Sequence, residues 1–498
     1  MSELFLQLFI GVCFIVLILV LFTEKRDYLT WSMVLIVIAS IVTAALKPSV
    51  RDLSFFIDAI DFEVIIFLFC MFIIVEILND QKIFHHVSQY IVERFQDNLR
   101  LLFYSICVIS TLVAAFLEDL SVAIIFAPII IISCRELKVN PTAFLLGMTI
   151  CINLASTLTP YGSAENILIV NAFDLGFWWF IKNFAPFFLI ATVITLVLLD
   201  RILLSKYINE RKELRDELER LLKDYMEGGE EERTEIMAKI AKIKKQARFG
   251  QYFNNPTGFC SPEEKQELKT FYQTESKLKE QLAEYKVDKK TLRKNLIAIV
   301  IFVILLSSFD KIYVPAILGA LLFVFINPVD DKFGNRGANF SHYLRKVDLK
   351  LLFFFICLFE LVALMEVNGT IDYIQDIVLN LSHLQILTIS CAVLILTSIL
   401  SAFMDNAPVT IIFIPIVESL LTIPGLDQSI LVFSFILGVN LGGNILPQGS
   451  ACDMMTLEIA KDYDVKDMNY RKLFKYGALF SLIHIALGVG YMIILHYV

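Results

Sequence analysis

The sequence has 498 residues, of which 57% are apolar and 19% charged, and its mean hydropathy is +0.69. Soluble globular chains are about half apolar and about a quarter charged, and long apolar runs fill most of this chain, which excludes a soluble domain with a single membrane anchor. The net charge of −8 comes without a basic stripe, so we expect no nucleic-acid partner, and the runs lack the period-two alternation of a membrane barrel.

Candidate membrane spans, which need about 20 apolar residues to cross the hydrocarbon core, occur in both parts of the chain. They are 4–22, 29–46, 62–78 and 177–199, then 296–309, 312–326, 351–365 and 474–495. The first run lacks the positive flank and the small-residue cleavage site of a signal peptide, so we interpret it as a retained span. Two further apolar regions, 101–173 and 384–460, are each interrupted twice by polar residues.

The first of these regions contains a charged turn and, further along, a polar stretch with Pro and Gly. The turn holds Glu118, Asp119 and Ser121, and the polar stretch extends from 153 to 163. A carboxylate inside a bilayer costs at least about 2.5 kcal/mol, so its presence needs a reason. Pro and Gly exclude a regular helix, and irregular backbone at membrane depth must line protein or a polar cavity. We therefore predict a hairpin with an acidic tip, followed by a broken helix.

The second interrupted region repeats this design. A shift of 287 residues, without a gap, lays 118–119 on 405–406, Asn153 on Asn440, and the Pro-x-Gly-Ser-Ala motif at 160–164 on the same motif at 447–451. Agreement of Pro, Gly and Asn at a single offset indicates an internal duplication.

Counting spans and charges predicts the topology. If 101–134 is a re-entrant hairpin, each half crosses the membrane five times, so the two copies are inverted; full-spanning hairpins would give seven crossings and the same inversion. Placing both termini outside assigns 39 Lys and Arg residues to the cytoplasm and four elsewhere, in agreement with the positive-inside rule. We therefore predict an all-α, polytopic membrane protein with two inverted repeats, 1–200 and 295–498, each with about five transmembrane helices, a re-entrant hairpin and a broken helix.

The segment 201–294 separates the repeats and holds 22 Lys or Arg and 18 Asp or Glu residues. On this topology it is a cytoplasmic, helical insert of the multi-pass protein, which we place in the plasma or cytoplasmic membrane. It is interpreted either as a helical linker or oligomer-contact arm, or as a regulatory domain for a ligand or partner. A homodimer is compatible with either interpretation.

The tips and the breaks contain the residues that could bind a transported ion. Each tip presents a carboxylate, an amide or hydroxyl, and free backbone N–H groups, whereas each break exposes carbonyl oxygens that suit a hard cation. An interfacial helix cap is the structural alternative for the tips, and packing kinks are the alternative for the breaks. The candidate ion-binding or transport residues are Glu118, Asp119, Ser121, Asn153, Ser156, Thr157, Thr159, Ser163, Asp405, Asn406, Asn440, Asn444 and Ser450. Residues just beyond the breaks, expected to support or gate the site, are Glu165, Asn166 and Asp453.

These motifs resemble those of the ion transporter superfamily. Its members include NhaD-type sodium/proton antiporters, ArsB-type arsenite pumps, relatives of the P protein, and citrate and dicarboxylate carriers. The dicarboxylate branch has Ser-Asn-Thr tips that bind carboxylate and sodium, whereas the tips here are closer to the Asp-Asn tips of the antiporter branch. The resemblance implies Na⁺ binding at Asp119, Asp405 and Asn406, although the first tip reads Glu-Asp where that branch has Asp-Asn.

The leading functional hypothesis is a secondary active cation/proton antiporter, most specifically for Na⁺ and H⁺, that works by alternating access. We expect no enzymatic activity, no catalytic residues and no cofactor beyond Na⁺ or H⁺ as coupling ions. Two alternatives stay open: an anion carrier for arsenite, citrate or a dicarboxylate coupled to Na⁺ or H⁺, and a membrane sensor built around the insert. The expected partners are the lipid bilayer and a small inorganic ion or organic anion.

Overall fold

The computed structural model describes residues 2–21, 27–83, 98–136, 139–209, 289–309, 311–330, 336–347, 349–372, 385–423 and 428–497, with isolated residues between them. The predicted helices of the insert lie almost entirely outside the described residues. The described part is nearly all helical, which confirms the predicted fold class; the exception is a pair of two-residue antiparallel strands, β1 (Val329–Asp330) and β2 (Arg336–Gly337).

The first half contains nine described helices. They are α1 (Ser2–Leu21), α2 (Tyr28–Leu46), α3 (Leu53–Ala59), α4 (Phe62–Asp80), α5 (Leu99–Ala114), α6 (Asp119–Glu136), α7 (Thr142–Ala155), α8 (Ala164–Ala172) and α9 (Phe177–Leu199). Several of these helices are capped at their N-termini by a short polar side chain that accepts a hydrogen bond from a backbone N–H. Asp61 Oδ1 accepts from Val64 N at 3.2 Å, and Asn98 Oδ1 accepts from Leu101 N at 3.1 Å.

The second half also contains nine described helices. They are α10 (Lys289–Ser308), α11 (Tyr313–Ile326), α12 (Phe340–Leu344), α13 (Leu349–Val367), α14 (Ile386–Phe403), α15 (Asn406–Leu421), α16 (Gln428–Gly442), α17 (Ala451–Asp462) and α18 (Tyr470–Tyr497). The 287-residue shift lays the bounds of α1 on those of α10, and those of α4 on those of α13. The offset found in the polar motifs therefore extends to helices with no shared motif.

Helices of one half pack against helices of the other half in equivalent pairs. Helix α2 packs against α13, and the equivalent pair, α11 and α4, also packs together. In the same way α6 packs against α17, and α15 packs against α8. Such reciprocal contacts are expected of two copies related by a two-fold axis, and they surround the tips and breaks with helices from both repeats.

The described helices include six that are long and apolar enough to cross a membrane. They are Tyr28–Leu46, Phe62–Asp80, Phe177–Asn209, Lys289–Ser308, Ile386–Phe403 and Tyr470–Tyr497. The outer faces are apolar as lipid contact requires: Leu4, Leu8 and Leu19 of α1 are 61%, 63% and 57% exposed. Polar side chains such as Asn153, Asn440 and Asp453 are instead buried. The chain is therefore an integral, multi-pass membrane protein.

Candidate functional site

The first hairpin turns between α5 and α6, at the predicted tip. Ser121 Oγ donates a hydrogen bond to Glu118 Oε2 at 3.2 Å, and Asp119 Oδ1 accepts from the N–H of Leu120 at 2.7 Å. Glu118 and Asp119 are half-buried. The local bonds resemble those of a helix cap, and both carboxylates belong to residues that are only partly buried at the turn.

The second hairpin turns between α14 and α15. Asp405 is exposed and makes no side-chain capping bond to the helix that follows it. Asn406 is buried and reaches into the first repeat, where its Nδ2 donates to Glu165 Oε1 at 2.9 Å. The other side of its amide, Oδ1, accepts a hydrogen bond from Ser401. The two tips therefore differ: the first presents two carboxylates, and the second presents one carboxylate beside an engaged amide.

Both predicted helix breaks are present, but they start slightly later than predicted. Helix α7 continues through Ala155 before α8 begins at Ala164, and α16 continues through Gly442 before α17 begins at Ala451. Asn153 and Asn440, which were predicted to start the breaks, lie in the last turns of α7 and α16. Asn440 Nδ2 donates to Ile436 O, one turn earlier, at 2.8 Å. The interruptions are thus confined to 156–163 and 443–450, and the second contains a 3-10 turn, Pro447–Gly449.

A glycine in each break allows the backbone to approach the hairpin. A Cβ added at Gly449 would lie 2.6 Å from Ser401 O and 2.7 Å from Gly443 O. At the equivalent Gly162 an added Cβ would lie 3.2 Å from Ala114 O. Since Ser401 and Ala114 lie at the end of the first limb of each hairpin, each break contacts its hairpin close to the tip.

Within the first break, side chains hold the unwound backbone. Asn166 Nδ2 donates to Thr159 O at 3.1 Å and also to Ser156 O. Thr159 Oγ1 donates to Ala115 O beside the first tip, and Thr157 Oγ1 donates to Leu154 O at 2.7 Å. These predicted residues therefore satisfy backbone groups that the break would otherwise leave unpaired.

Two hydrogen-bond clusters join the repeats, and the same shift relates them. In one, Asn153 Nδ2 donates to Asp453 Oδ1 at 3.0 Å, and Asn153 Oδ1 accepts from Ser450 Oγ at 3.0 Å. In the other, Asn440 Nδ2 donates to Asn166 Oδ1 at 2.8 Å, and its Oδ1 accepts from Ser163 Oγ at 3.3 Å. Each asparagine is thus held by the serine and the first-turn residue of the opposite repeat.

The clusters are equivalent in position but not in charge. One contains the carboxylate of Asp453 where the other contains the amide of Asn166. The buried Glu165 has Cys452 as its counterpart. Asp119 lies within electrostatic range of Asp405, and Glu165 lies within range of both. Carboxylates from both repeats therefore share one region, with the excess in the first repeat.

The donors in this region are hard oxygen atoms, which fit Na⁺ better than a soft metal. Among the described residues, no group of three or more His, Cys, Asp or Glu side chains is arranged to hold a metal ion. Both ends of the Asn406 amide are already engaged, so a cation there would replace the Ser401 contact. Na⁺ binding at Asp119, Asp405 and Asn406 stays a prediction.

Ser401 was not predicted to belong to this region, and the unsatisfied amide of Asn444 could not be predicted from the sequence. Ser401, whose Oγ also lies 2.6 Å from Val439 O, links the second tip to α16, but its repeat counterpart is Ala114 and the duplication gave no signal for it. Asn444 was predicted, yet its Nδ2 is buried and has no hydrogen-bond partner within the described part of the chain. The equivalent Thr157 is satisfied locally.

The chain is similar to a family of transporters and to several membrane proteins. A family model described as a citrate transporter, CitMHS, matches residues 17–439. The P protein of Sus scrofa is 24% identical over 475 residues, which cover 89% of this chain and 54% of that protein. The 46 kDa membrane protein of Mycobacterium leprae is 23% identical over 441 residues, covering 87% and 86%. An uncharacterized transporter of Mycobacterium tuberculosis is 20% identical over 442 residues, covering 88% and 87%.

The chain spans about half the length of the P proteins that it matches. The family match, by contrast, covers most of this chain, including both hairpin tips and the first break. Family and relatives together indicate a membrane transporter. The chain therefore belongs to the CitMHS citrate transporter family.

Proposed function

We propose that this transporter exchanges Na⁺ for H⁺ across the membrane. The proposal is based on the tip carboxylates Glu118, Asp119 and Asp405, whose residues are half-buried or exposed, beside two interruptions of the helices. A carboxylate in this setting binds either a proton or a cation. Competition between the two for the same oxygen atoms couples their fluxes without a covalent step.

Alternating access follows from the paired architecture. The hairpins and breaks of both repeats meet in one polar region, and equivalent helices pack reciprocally around it. Movement of this core relative to the outer helices would expose the carboxylates to one side and then to the other. If one net charge crosses per cycle, the membrane potential contributes about 2.3 kcal/mol per 100 mV.

Proteoliposomes test the proposal directly. An imposed Na⁺ gradient is expected to move protons, as reported by a trapped pH indicator, and Asp405→Asn is expected to abolish that movement. Asp464→Asn is the matched control, because Asp464 is an exposed residue paired with Lys466 at 3.7 Å, far along the chain from either tip. Loss of flux in both variants, or proton movement that ignores Na⁺, contradicts the proposal.

Citrate transport coupled to Na⁺ or H⁺ is the second candidate, and the family match favours it. The buried amide of Asn444 would offer an unsatisfied donor to a carboxylate of the substrate. The nearby acidic tips oppose a bare anion, so this candidate requires bound cations to reverse the local charge. Uptake of labelled citrate by the same liposomes, with no effect of Na⁺ on internal pH, would favour this function over the antiporter.

A further inference from the structure

The first residues of the insert continue the helix of the preceding membrane span. After α9 the chain continues through a π-helical turn, Asp200–Leu204, and the helical stretch is described as far as Asn209. The remaining residues of the insert follow in sequence. π-helical turns are rare and frequently mark functional sites. Because the helix is continuous from α9 through the π-helical turn to Asn209, a movement of the chain at Asn209 would also move the π-helical turn.

This extension holds the start of the first hairpin. Arg100, in the first turn of α5, places Nε 3.4 Å from Asp200 Oδ1, and its guanidinium donates to Ser205 Oγ at 3.0 Å. Ser205 Oγ in turn lies 3.3 Å from Asp200 Oδ1. Three side chains therefore join the base of the hairpin to both ends of the π-helical turn.

The same extension also holds the residue that follows the hairpin. Tyr207 Oη accepts a hydrogen bond from the backbone N–H of Asn140 at 2.6 Å. The side chain of Asn140 donates from Nδ2 to Asp467 Oδ2 at 2.7 Å, and Asp467 lies between α17 and α18 of the second repeat. Both ends of the hairpin, and through Asn140 the second broken helix, thus connect to the extension. The hairpin clasp consists of Arg100, Asn140, Asp200, Ser205 and Tyr207.

Four of the five residues of the hairpin clasp have apolar counterparts in the described part of the second repeat. The residues at the positions of Arg100, Asp200, Ser205 and Tyr207 are Leu387, Leu487, Met492 and Ile494. The polar contacts of the hairpin clasp thus occur in the repeat to which the charged insert is attached. We propose that the hairpin clasp transmits the conformation of the insert to the first hairpin and so positions the tip at Glu118 and Asp119. The proposal rests on the proposed transport function.

The test uses the full chain with a protease recognition sequence placed between Gly250 and Gln251, cut after reconstitution. Cutting is expected to change the KM or the maximal rate of flux by about fivefold, within the range of allosteric coupling. The change is expected to vanish in the double variant Arg100→Gln, Tyr207→Phe. Lys466→Gln is the matched control: it breaks an ion pair outside the hairpin clasp and should respond to cutting like the parent chain.

A second readout does not depend on which ion is transported. A cysteine introduced by Ser121→Cys reports exposure of the first tip through its alkylation rate, which should change on cutting in the parent but not in the double variant. Equal responses in the two proteins, or no response in the parent, overturn the proposal. Failure of the proposed antiport function is recognised separately, since it removes the proton flux before any cut is made.

Discussion

The two repeats share a helix plan but hold their hairpins differently. In the second repeat, Gly438 and Gly442 bring α16 so close to α14 that a Cβ at Gly442 would lie 2.4 Å from Ser398 O. The equivalent residues of the first repeat are Cys151 and Ala155 on α7, which packs against α5. Gly-x-x-x-Gly spacing permits close backbone approach in membranes. Backbone contact therefore fixes the second hairpin, whereas side chains and the hairpin clasp fix the first.

The repeats also differ in the charge that they bring to the centre. The first repeat supplies Glu118, Asp119 and Glu165, whereas the second supplies Asp405 and Asp453. A duplicated scaffold thus provides equivalent positions, and substitutions at those positions make the two halves chemically unequal. The fold therefore depends on the pattern that both repeats share, whereas the chemistry depends on the positions at which they differ.

The largest effect is expected from filling the close contact of the second repeat. Gly442→Ala should reduce the free energy of unfolding by about 1–3 kcal/mol, because the added Cβ meets the backbone of α14 and not a flexible side chain. Thermal unfolding of the detergent-solubilised protein measures the loss. The reverse change at the equivalent position, Ala155→Gly, should cost only about 0.5–1 kcal/mol. Equal costs at the two positions would contradict the proposed difference in packing.

The cross-repeat clusters should respond unequally to loss of their asparagines. Asn153→Ala removes the amide donor to Asp453, whereas Asn440→Ala removes the donor to the neutral Asn166. Hydrogen bonds to charged groups contribute about 1.5–3 kcal/mol and neutral ones about 0.5–1.5 kcal/mol. The first variant should therefore lose more stability at a pH that ionises Asp453, and the two losses should converge at a pH that protonates it. Chemical unfolding in detergent compares the two variants.

Replacing Asp453 by Asn gives both clusters an amide and so separates the effect of charge from the effect of position in the repeat. In an Asp453→Asn background, both asparagines would face an amide, so Asn153→Ala and Asn440→Ala should cost the same within about 0.5 kcal/mol. A persistent difference would show that position in the repeat, and not the carboxylate, decides the cost.

The smallest effect is expected at two ion pairs that share one equivalent position with opposite charge. Lys350 at α13 lies 2.7 Å from Asp27, whereas Glu63, at the equivalent position of α4, lies 3.7 Å from Lys311. The Lys350 ammonium and the Thr30 hydroxyl lower the pKa of Asp27 from 3.8 to about 2.

Because the folded pKa of Asp27 is depressed, its contribution is present above pH 3.8 and is lost as the pH falls towards 2. Asp27→Asn should therefore lower the melting temperature slightly at pH 7, less at high salt, and progressively less as the pH falls through 3.8 and below 2. Glu63→Gln should have a still smaller effect, since its pair is longer. A larger effect for Glu63→Gln at low salt would reverse this ranking.

Much of the fold was predictable because lipid and duplication both constrain the sequence. The lengths of the apolar runs predict the spans, and the single offset of 287 residues predicts a hairpin and a break in each repeat. The helical state of Asn153 and Asn440 was not predicted, because polarity alone does not locate the residue at which a helix unwinds. The bonds that Asn153 and Asn440 make across the repeats were also missed, since offsets identify equivalent residues but not contacts between them.

Proton release on cation binding shows whether Na⁺ and H⁺ compete for the same carboxylates at the tips. When Na⁺ is added to the purified protein in weakly buffered detergent near neutral pH, the competition at the tips predicts saturable release of protons that Asp405→Asn abolishes and Asp464→Asn preserves. The same addition made with choline should release none. Binding of Na⁺ without proton release, or release that persists in Asp405→Asn, would contradict a shared site for the two ions.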